Sequence, residues 1–311
     1  MKYGRRTFWF GLVVVGCSDI SFRQKDDTAT QAVVVEEVMV QETAPALDML
    51  WVIDNTASME EEQIALQSSV ADLVDALEES QVSWQLGVIS TDVTTESAGV
   101  LQGETWIITS GSSDSVGQIE TLFEIGTDGT APEGGLGAAY LALTDPLQSD
   151  ENRGFRRANA ALHVIVFSDD DDASDEFFSD ASLALPAESM LALLEDAADT
   201  SGQPAVFSAI VGDLPSGCVG DGGTALPGTV YAEVAESAGG TIGSVCETDL
   251  SGLTQTLAEM AINWPTLFEL QAEPVASSIR IEINGTRLDD GWTLQQSPPA
   301  IEFDEAPHPN T

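Results

Sequence analysis

Basic side chains are what this sequence most clearly lacks. The 311 residues include 10 lysines and arginines against 52 aspartates and glutamates, which gives a formal net charge of −42. Lys25 is the only lysine after residue 2. Because nucleic-acid binding needs a positive patch, the sequence predicts no nucleic-acid partner. Such acidity keeps a protein soluble at high salt, at a cost in self-repulsion, so a saline habitat and cation binding both explain it.

Histidines and the motifs of common enzymes are also scarce. His163 lies inside an apolar stretch and His308 lies near the C-terminus. The sequence contains no Gly-x-Ser-x-Gly elbow, no His-Glu-x-x-His pair and no phosphate-cradling loop. We therefore expect that the chain is not an enzyme. A metal-dependent hydrolase is the alternative, because Asp54 and Asp169 could position a metal-bound water.

The first sixteen residues have the pattern of an export signal. Lys2, Arg5 and Arg6 precede an apolar run from residue 7 to residue 16. That run is too short to span a bilayer, which takes about 20 residues. It ends in Val-Val-Val-Gly before Cys17 and resembles the bacterial lipobox, which implies a lipid on Cys17 and anchoring at the cell envelope, on its periplasmic face or at the cell surface. A plain secretory signal with an incidental cysteine is the alternative.

The three cysteines fit an exported protein. If Cys17 carries the lipid, Cys218 and Cys246 are left as a pair, which an oxidising compartment would join in a disulfide. Two free, buried thiols would suit a cytosolic protein, and that does not fit the signal segment.

Strand-like and helix-like segments alternate along the middle of the chain. Short apolar runs predict strands, and apolar residues at helical spacing predict the helices between them. The predicted core strands are 47–53, 84–91, 105–109, 161–167, 205–211 and 241–246. The predicted helices are 59–79, 118–125, 134–147, 185–200, 230–237 and 253–262. This alternation predicts a doubly wound α/β fold, a mostly parallel sheet with helices on both faces.

Oxygen-bearing side chains follow two of these strands. Asp54, Thr56 and Ser58 occupy alternate positions after the first strand, and Asp169 follows strand 161–167. Thr130 lies in a loop that enters a helix. Ligands in such sheets bind beyond the C-terminal strand ends, and oxygen ligands suit a hard divalent cation. The same residue types are common in ordinary turns, which is the alternative interpretation.

Taken together, the three segments resemble the von Willebrand factor type A (VWA) domain. Asp-x-Thr-x-Ser, a loop threonine and Ser-Asp occur in the order of its metal-ion-dependent adhesion site (MIDAS), with threonine where the first serine is more usual. The resemblance implies a VWA/Rossmann-like fold and a bound Mg²⁺, or Mn²⁺ or Ca²⁺. Its ligands would be the hydroxyls of Thr56, Ser58 and Thr130, with Asp54 and Asp169 acting mainly through water.

The resemblance also implies an adhesion module. An open position on the cation would accept an Asp or Glu carboxylate from a protein partner. The alternative is a structural or envelope-assembly protein whose metal only stabilises the fold.

Two acidic runs have competing interpretations. Asp170–Asp172 could hold a second cation, Ca²⁺, but adjacent side chains point in different directions, so a solvated acidic loop is favoured. Glu60, Glu61 and Glu62 are interpreted as a helix start, where the helix dipole favours negative charge.

Four segments are predicted. They are a signal peptide at 1–16, a flexible tether at 17–32, a VWA domain at 33–265 and a small β-rich module at 266–311. Within them, the β-rich stretch 33–40 is expected to add an edge strand. In the last segment, alternation over 278–283 runs into Asn284-Gly285, a strong hairpin signal.

Overall fold

A computed structural model describes most of the chain. The described residues are 19–20, 39–40, 46–80, 82–129, 131–178, 186–260, 267–271, 274–283 and 285–304. The chain divides into a larger unit, Ala44–Asn263, and a smaller unit, Met1–Thr43 with Trp264–Thr311. The predicted signal segment, Cys17 and Thr130 lie outside the described residues.

The strands and helices are numbered in chain order. The strands are β1 (Asp19–Ile20), β2 (Met39–Val40), β3 (Ala46–Ile53), β4 (Ser83–Ser90), β5 (Ile108–Thr109), β6 (Ala161–Phe167), β7 (Ala205–Val211), β8 (Cys218–Gly220), β9 (Gly223–Ala225), β10 (Ile242–Ser244), β11 (Leu267–Glu269), β12 (Ile281–Ile283), β13 (Thr286–Leu288), β14 (Trp292–Gln296) and β15 (Pro299–Phe303). The helices are α1 (Glu60–Ser68), α2 (Val70–Glu79), α3 (Ser115–Phe123), α4 (Gly135–Leu143), α5 (Ser174–Phe177), α6 (Pro186–Ser201), α7 (Thr229–Ser237) and α8 (Ser251–Met260).

A six-stranded sheet forms the centre of the larger unit. Its strand order is β10-β7-β6-β3-β4-β5. Neighbouring strands are parallel except for β5, which runs antiparallel to β4 at the edge. The predicted fold class, a doubly wound and mostly parallel α/β sheet, is therefore confirmed.

Strand β3 is buried on both faces, as expected for a central parallel strand. Leu50 and Val52 belong to the core on the side of α4, α6 and α7. Trp51 points the other way, where its ring centroid lies 4.8 Å from that of Phe123 in α3. Helices α1, α2, α3 and α8 pack with one another. The sheet is therefore covered on both sides, and its ligand-accessible part is an edge.

The helix predicted at 59–79 is interrupted. A short 3-10 turn, Ala57–Met59, leads into α1, and Ser69 separates α1 from α2. The Ser69 hydroxyl donates a hydrogen bond to the Leu66 carbonyl at 2.7 Å. A serine that bonds its own preceding turn competes with the helical ladder, which explains the break.

An arginine pair fastens the opposite end of the sheet, where β3 begins. The buried Asp48 carboxylate accepts hydrogen bonds from Arg157 Nε at 2.6 Å and from the Arg157 amide at 2.7 Å. Arg156 lies 3.4 Å from the same carboxylate. Arg157 also donates to the carbonyls of Leu47 and Ser83. These contacts tie the first residues of β3 and β4 to the loop before β6.

The smaller unit contains two antiparallel sheets. One has the order β13-β12-β1-β2 and the other β11-β15-β14. Strands β12 and β13, on either side of the expected hairpin turn, pair in antiparallel register, and Asn284 itself lies outside the described residues. A small core includes Phe268 and Phe303, whose rings meet edge to face at 5.4 Å.

Two short N-terminal segments belong to the first of these sheets. Asp19–Ile20, predicted to be tether, forms a short strand, and Met39–Val40 pairs with it. The rest of the tether and of stretch 33–40 lies outside the described residues.

In the part of the chain that the structure describes, no helix is both long and apolar enough to cross a bilayer.

Candidate functional site

Strand register brings the predicted ligands to one edge of the sheet. Ile53 pairs with Ser90 on one side and with Phe167 on the other. The Asp54 amide then donates to the Phe167 carbonyl at 2.9 Å. The side chains that directly follow β3 and β6 are therefore neighbours, although 114 residues separate Asp54 from Ser168.

Asp54 organises the turn that carries the two hydroxyls. Its Oδ1 atom accepts hydrogen bonds from the Thr56 amide at 2.8 Å and the Thr56 hydroxyl at 2.7 Å. The oxygens of Thr56 and Ser58 are 3.2 Å apart. Gln63 donates its side-chain amide to the Asp54 carbonyl at 2.9 Å, which fastens the turn to α1. One carboxylate and two hydroxyls thus form a single cluster.

Asp169 joins this cluster from β6. The Ser58 hydroxyl hydrogen-bonds to the Asp169 carboxyl group. Asp169 is only 5% exposed, and its Oδ1 atom has no hydrogen-bond partner among the described residues. Ser168, which the sequence analysis did not assign to the site, donates its hydroxyl to Asp54 Oδ2 at 2.6 Å. Its position directly before Asp169, at the end of an apolar strand, was the signal that could have identified it.

The position of Thr130 is not described, but its neighbour reaches the same turn. The Gly129 amide donates to the Asn55 carbonyl at 2.7 Å. A Cβ atom on Gly129 would lie 2.4 Å from Asn55 Oδ1, so only glycine permits this close approach. The loop before α4 therefore contacts the Asp54 turn one residue before Thr130.

Two further carboxylates lie buried beside the cluster. Glu62 is fully buried, and neither of its carboxylate oxygens has a hydrogen-bond partner in the described chain. Glu133 is 3% exposed, and its Oε1 atom also lacks a described partner. Glu60, Glu61 and Glu62 form the first turn of α1, as predicted, but the prediction did not include the burial of Glu62. Its place one helical turn after Ser58 was the available signal.

Burial controls the protonation of these groups. Desolvation raises the pKa of Glu62 to about 7, and the negative charge of Asp169 acts in the same direction. Desolvation likewise raises the pKa of Glu133 to about 7 and that of Asp169 to about 6, and the Asp54 carboxylate adds to both shifts. The pKa of Asp54 itself is raised by burial and lowered by its bonds to Ser168 and Thr56.

No cationic side chain of the larger unit is available to this edge. Besides the buried His163, the only basic side chains between residues 44 and 263 are Arg153, Arg156 and Arg157. Two of them bind Asp48, near the other end of β3. Buried carboxylates without a cationic partner are costly, and they are compensated by protonation or by a bound cation.

The aspartate run after β6 has a different use. Asp171 Oδ1 accepts the Val230 amide at 2.9 Å, at the start of α7. Asp172 accepts the Leu136 amide at 3.0 Å, at the start of α4, and the Ser174 hydroxyl at 2.8 Å. These carboxylates thus hold helix N-termini, where the unpaired amides and the dipole favour them. The contacts give no support to the second Ca²⁺ that was considered near Asp170–Asp172.

A disulfide-bonded hairpin covers one side of the site. Cys218 and Cys246 form the expected disulfide. The hairpin β8–β9 lies between the predicted strand 205–211 and the predicted helix 230–237, where the sequence analysis placed neither a strand nor a helix. A Cβ atom on Gly223 would lie 1.6 Å from Glu62 Oε1, so the hairpin backbone rests directly on that carboxylate. The Leu226 amide donates to the Asp169 carbonyl at 2.8 Å.

The donor set fits a hard divalent cation. The cluster offers hydroxyl and carboxylate oxygens only, and the unpartnered Oδ1 atom of Asp169 is one such donor. Within the described ranges, no group of three or more His, Cys, Asp and Glu side chains could hold a metal ion. A cation here would therefore depend on the hydroxyls of Thr56 and Ser58 as well as on carboxylates.

Comparisons with known proteins identify distant structural neighbours. No protein-family model matches the chain, and no curated protein matches it in sequence. A von Willebrand factor type A structure from Catenulispora acidiphila has 9% identity and a TM-score of 0.43, over 94% of this chain and 59% of that one. Proximal thread matrix protein 1 from the mussel byssus, with a zinc-occupied MIDAS motif, has 16% identity and a TM-score of 0.40. The match covers 70% of this chain and 49% of that one.

A third neighbour is the pilus adhesin SpaC from Lactobacillus rhamnosus GG. It has 10% identity and a TM-score of 0.42, over 94% of this chain and 39% of that one. The chain thus spans about two fifths to three fifths of the length of these neighbours. At these scores the likenesses carry no argument about function. The strand order and the convergent loops carry the assignment of fold: the larger unit has a VWA-like α/β fold.

Proposed function

We propose that this protein is a binding module of the bacterial cell envelope that engages a protein partner through a divalent cation. Asp54, Thr56, Ser58, Thr130 and Asp169 would hold the cation, with Mg²⁺ the first choice and Mn²⁺ or Ca²⁺ the others. The proposal rests on one observation above all. A buried carboxylate oxygen of Asp169 lacks a described partner beside two hydroxyls and the Asp54 carboxylate.

The partner would offer an Asp or Glu carboxylate. Hydroxyl ligands leave a divalent cation with most of its positive charge, so an anionic group from outside can complete its coordination. The rest of the domain surface is acidic and repels acidic partners at long range. Selectivity would therefore depend on the cation and on the loops next to it.

A binding role is favoured over catalysis because the side chains that could act as a general base already take part in hydrogen bonds within the protein. Both Asp54 oxygens already accept hydrogen bonds, from Thr56 and from Ser168. His163 is fully buried, with Nε2 2.8 Å from the Ser208 hydroxyl. Burial lowers its pKa to about 4. Neither Asp54 nor His163 is placed to take a proton from a bound substrate.

Anchoring would come from a lipid on Cys17, for which the Gly-Cys end of the signal segment is the support. Cell fractionation tests this part separately. A Cys17→Ser variant is expected in the soluble fraction, and a variant that still sediments with membranes would contradict lipid anchoring.

The binding proposal is tested by affinity capture from envelope extract. We expect a partner that is retained in Mg²⁺, released by EDTA and absent with Asp54→Ala. Asp92→Ala is the matched control, because Asp92 also ends a strand at this edge but caps a local turn through the Thr94 amide at 2.7 Å. Capture that survives both EDTA and Asp54→Ala would contradict binding through the cation.

A second role is supported by the buried carboxylates. Because Glu62 and Glu133 lie beside Asp54 and Asp169 without a cationic partner, a cation would also stabilise the fold. If Mg²⁺ raises the melting temperature while Asp54→Ala leaves partner capture unchanged, the metal is structural only. If Asp54→Ala removes both effects, the cation serves folding and binding.

A further inference from the structure

The disulfide-bonded segment beside the site exposes several aliphatic side chains. Leu214 is 46% exposed, Val219 82% and Leu226 62%. They account for three of the nine large hydrophobic side chains that are exposed in the described part of the chain. Such a concentration within one short segment of an acidic protein marks a candidate contact surface.

The segment presents these side chains from a fixed backbone. Cys218 is bonded to Cys246, and β8 pairs with β9 in antiparallel register. The Gly217 amide donates to the Asp213 carbonyl at 2.7 Å, and the Gly228 amide to the Gly212 carbonyl at 3.0 Å. A pre-organised loop loses little conformational freedom when it binds.

The two faces of the hairpin have different environments. Cys218 pairs with Ala225, and Gly220 with Gly223, on the side that meets Cys246 and Glu62. Val219 pairs with Thr224 on the opposite, exposed side. Alternation along a strand therefore places Val219 away from the fold, where its burial contributes nothing to folding.

The same segment is continuous with the cation site. The amide of Leu226 bonds the backbone of Asp169, while the Leu226 side chain is exposed. A partner whose carboxylate reached the cation would have its neighbouring residues over this segment.

Charge restricts what can occupy the surface. Asp213 and Asp221, both exposed, border it, and the whole chain carries −42. A second copy of this chain or an anionic lipid surface would be repelled. A neutral or basic protein loop with a single carboxylate would not be repelled.

We propose that Val219 and Leu226 form the specificity surface of the cation site. They would contact aliphatic or aromatic side chains that flank the partner's carboxylate. This inference rests on the proposed function and names the partner's chemistry: one Asp or Glu next to apolar residues in an otherwise neutral or basic loop.

The experiment uses a displayed library of short, disulfide-closed peptide loops, selected on the full chain in Mg²⁺. Enriched loops should contain Asp or Glu next to aliphatic or aromatic residues. Synthetic copies should bind the Val219→Ser/Leu226→Ser variant at least about tenfold more weakly than the wild type, because two apolar contacts are lost. Leu267→Ser/Val275→Ser is the matched control, since both residues are 50% exposed and lie in the smaller unit.

Three results separate the inference from the function on which it rests. Unchanged Mg²⁺ affinity and melting temperature in the Val219/Leu226 variant show that only the contact surface changed. Equal peptide binding by that variant, or failure to enrich apolar-flanked acidic loops, overturns the specificity surface. Peptide binding that persists in Asp54→Ala overturns the cation-mediated function itself.

Discussion

At the scale of single residues, the buried carboxylates distinguish this site from an ordinary strand-end turn. Asp54 is satisfied by hydroxyl and amide donors, whereas Glu62 and one oxygen of Asp169 have no described donor. An isolated buried charge is expensive, so these groups are held as neutral acids or balanced by a cation. The same atoms therefore link stability to cation binding.

Glu62→Gln is expected to stabilise the cation-free protein at about pH 8 by about 1 kcal/mol or more, because glutamine keeps the shape without the buried charge. Urea unfolding in a chelating buffer measures the gain. At about pH 5 folded wild-type Glu62 is already neutral, since its pKa is about 7, and the gain should be much smaller than at about pH 8. An equal gain at both pH values would show that charge is not the cause.

At the scale of elements, much was predictable from the sequence and some was not. The strands β3, β4, β6 and β7 follow from apolar runs, and the mostly parallel character of the sheet follows from strand–helix alternation. The sequence also predicted which loops carry Asp54 and Asp169.

What the sequence did not predict depends on distant contacts. The β8–β9 hairpin is rich in glycine and has no apolar alternation, and a disulfide to Cys246 closes it. Glu62 is buried because Gly223 of that hairpin rests on it, 161 residues later in the chain. The local sequence pattern does not indicate which residues so far apart in the chain will be in contact. The break at Ser69 was also not predicted, because it depends on one side-chain hydrogen bond.

The arginine loop gives a prediction at this scale. Arg157→Ala should destabilise the protein by about 3 kcal/mol, because the buried Asp48 loses its closest partner. The first residues of β3 and β4 also lose the hydrogen bonds that Arg157 donates to their carbonyls. Arg153→Ala, at an exposed position of the same loop, is the control and should change little. Chemical denaturation compares the two variants. A loss of the same size in both would refute the role of the Asp48 contact.

At the scale of the whole molecule, acidity and cation binding act together. With raised pKa values, Glu62, Glu133 and Asp169 bind more protons in the folded than in the unfolded chain. Their contribution to stability is therefore present at low pH and is lost as pH rises through the raised values.

Without cation, the free energy of unfolding should fall between about pH 5 and about pH 8. Mg²⁺ competes with protons for the carboxylates, so it should stabilise more at the upper end, by about 2.7 kcal/mol at 100 times its dissociation constant. Calorimetry at several pH values, with Mg²⁺ or chelator, measures both trends. A stabilisation by Mg²⁺ that is larger at low pH would contradict the linkage.

The arginines near Asp48 and the unpaired acids near Asp54 stand at opposite ends of one strand, about 20 Å apart along it. Arg156 and Arg157 therefore lie toward one end of β3, and the unpartnered buried carboxylates lie toward the other. Close to a negatively charged surface the larger unit would turn its arginine end inward and its acidic end outward. A cation bound at the Asp54 cluster would reduce that difference in charge. The preferred orientation of the larger unit near a charged surface would therefore depend on whether the cation site is occupied.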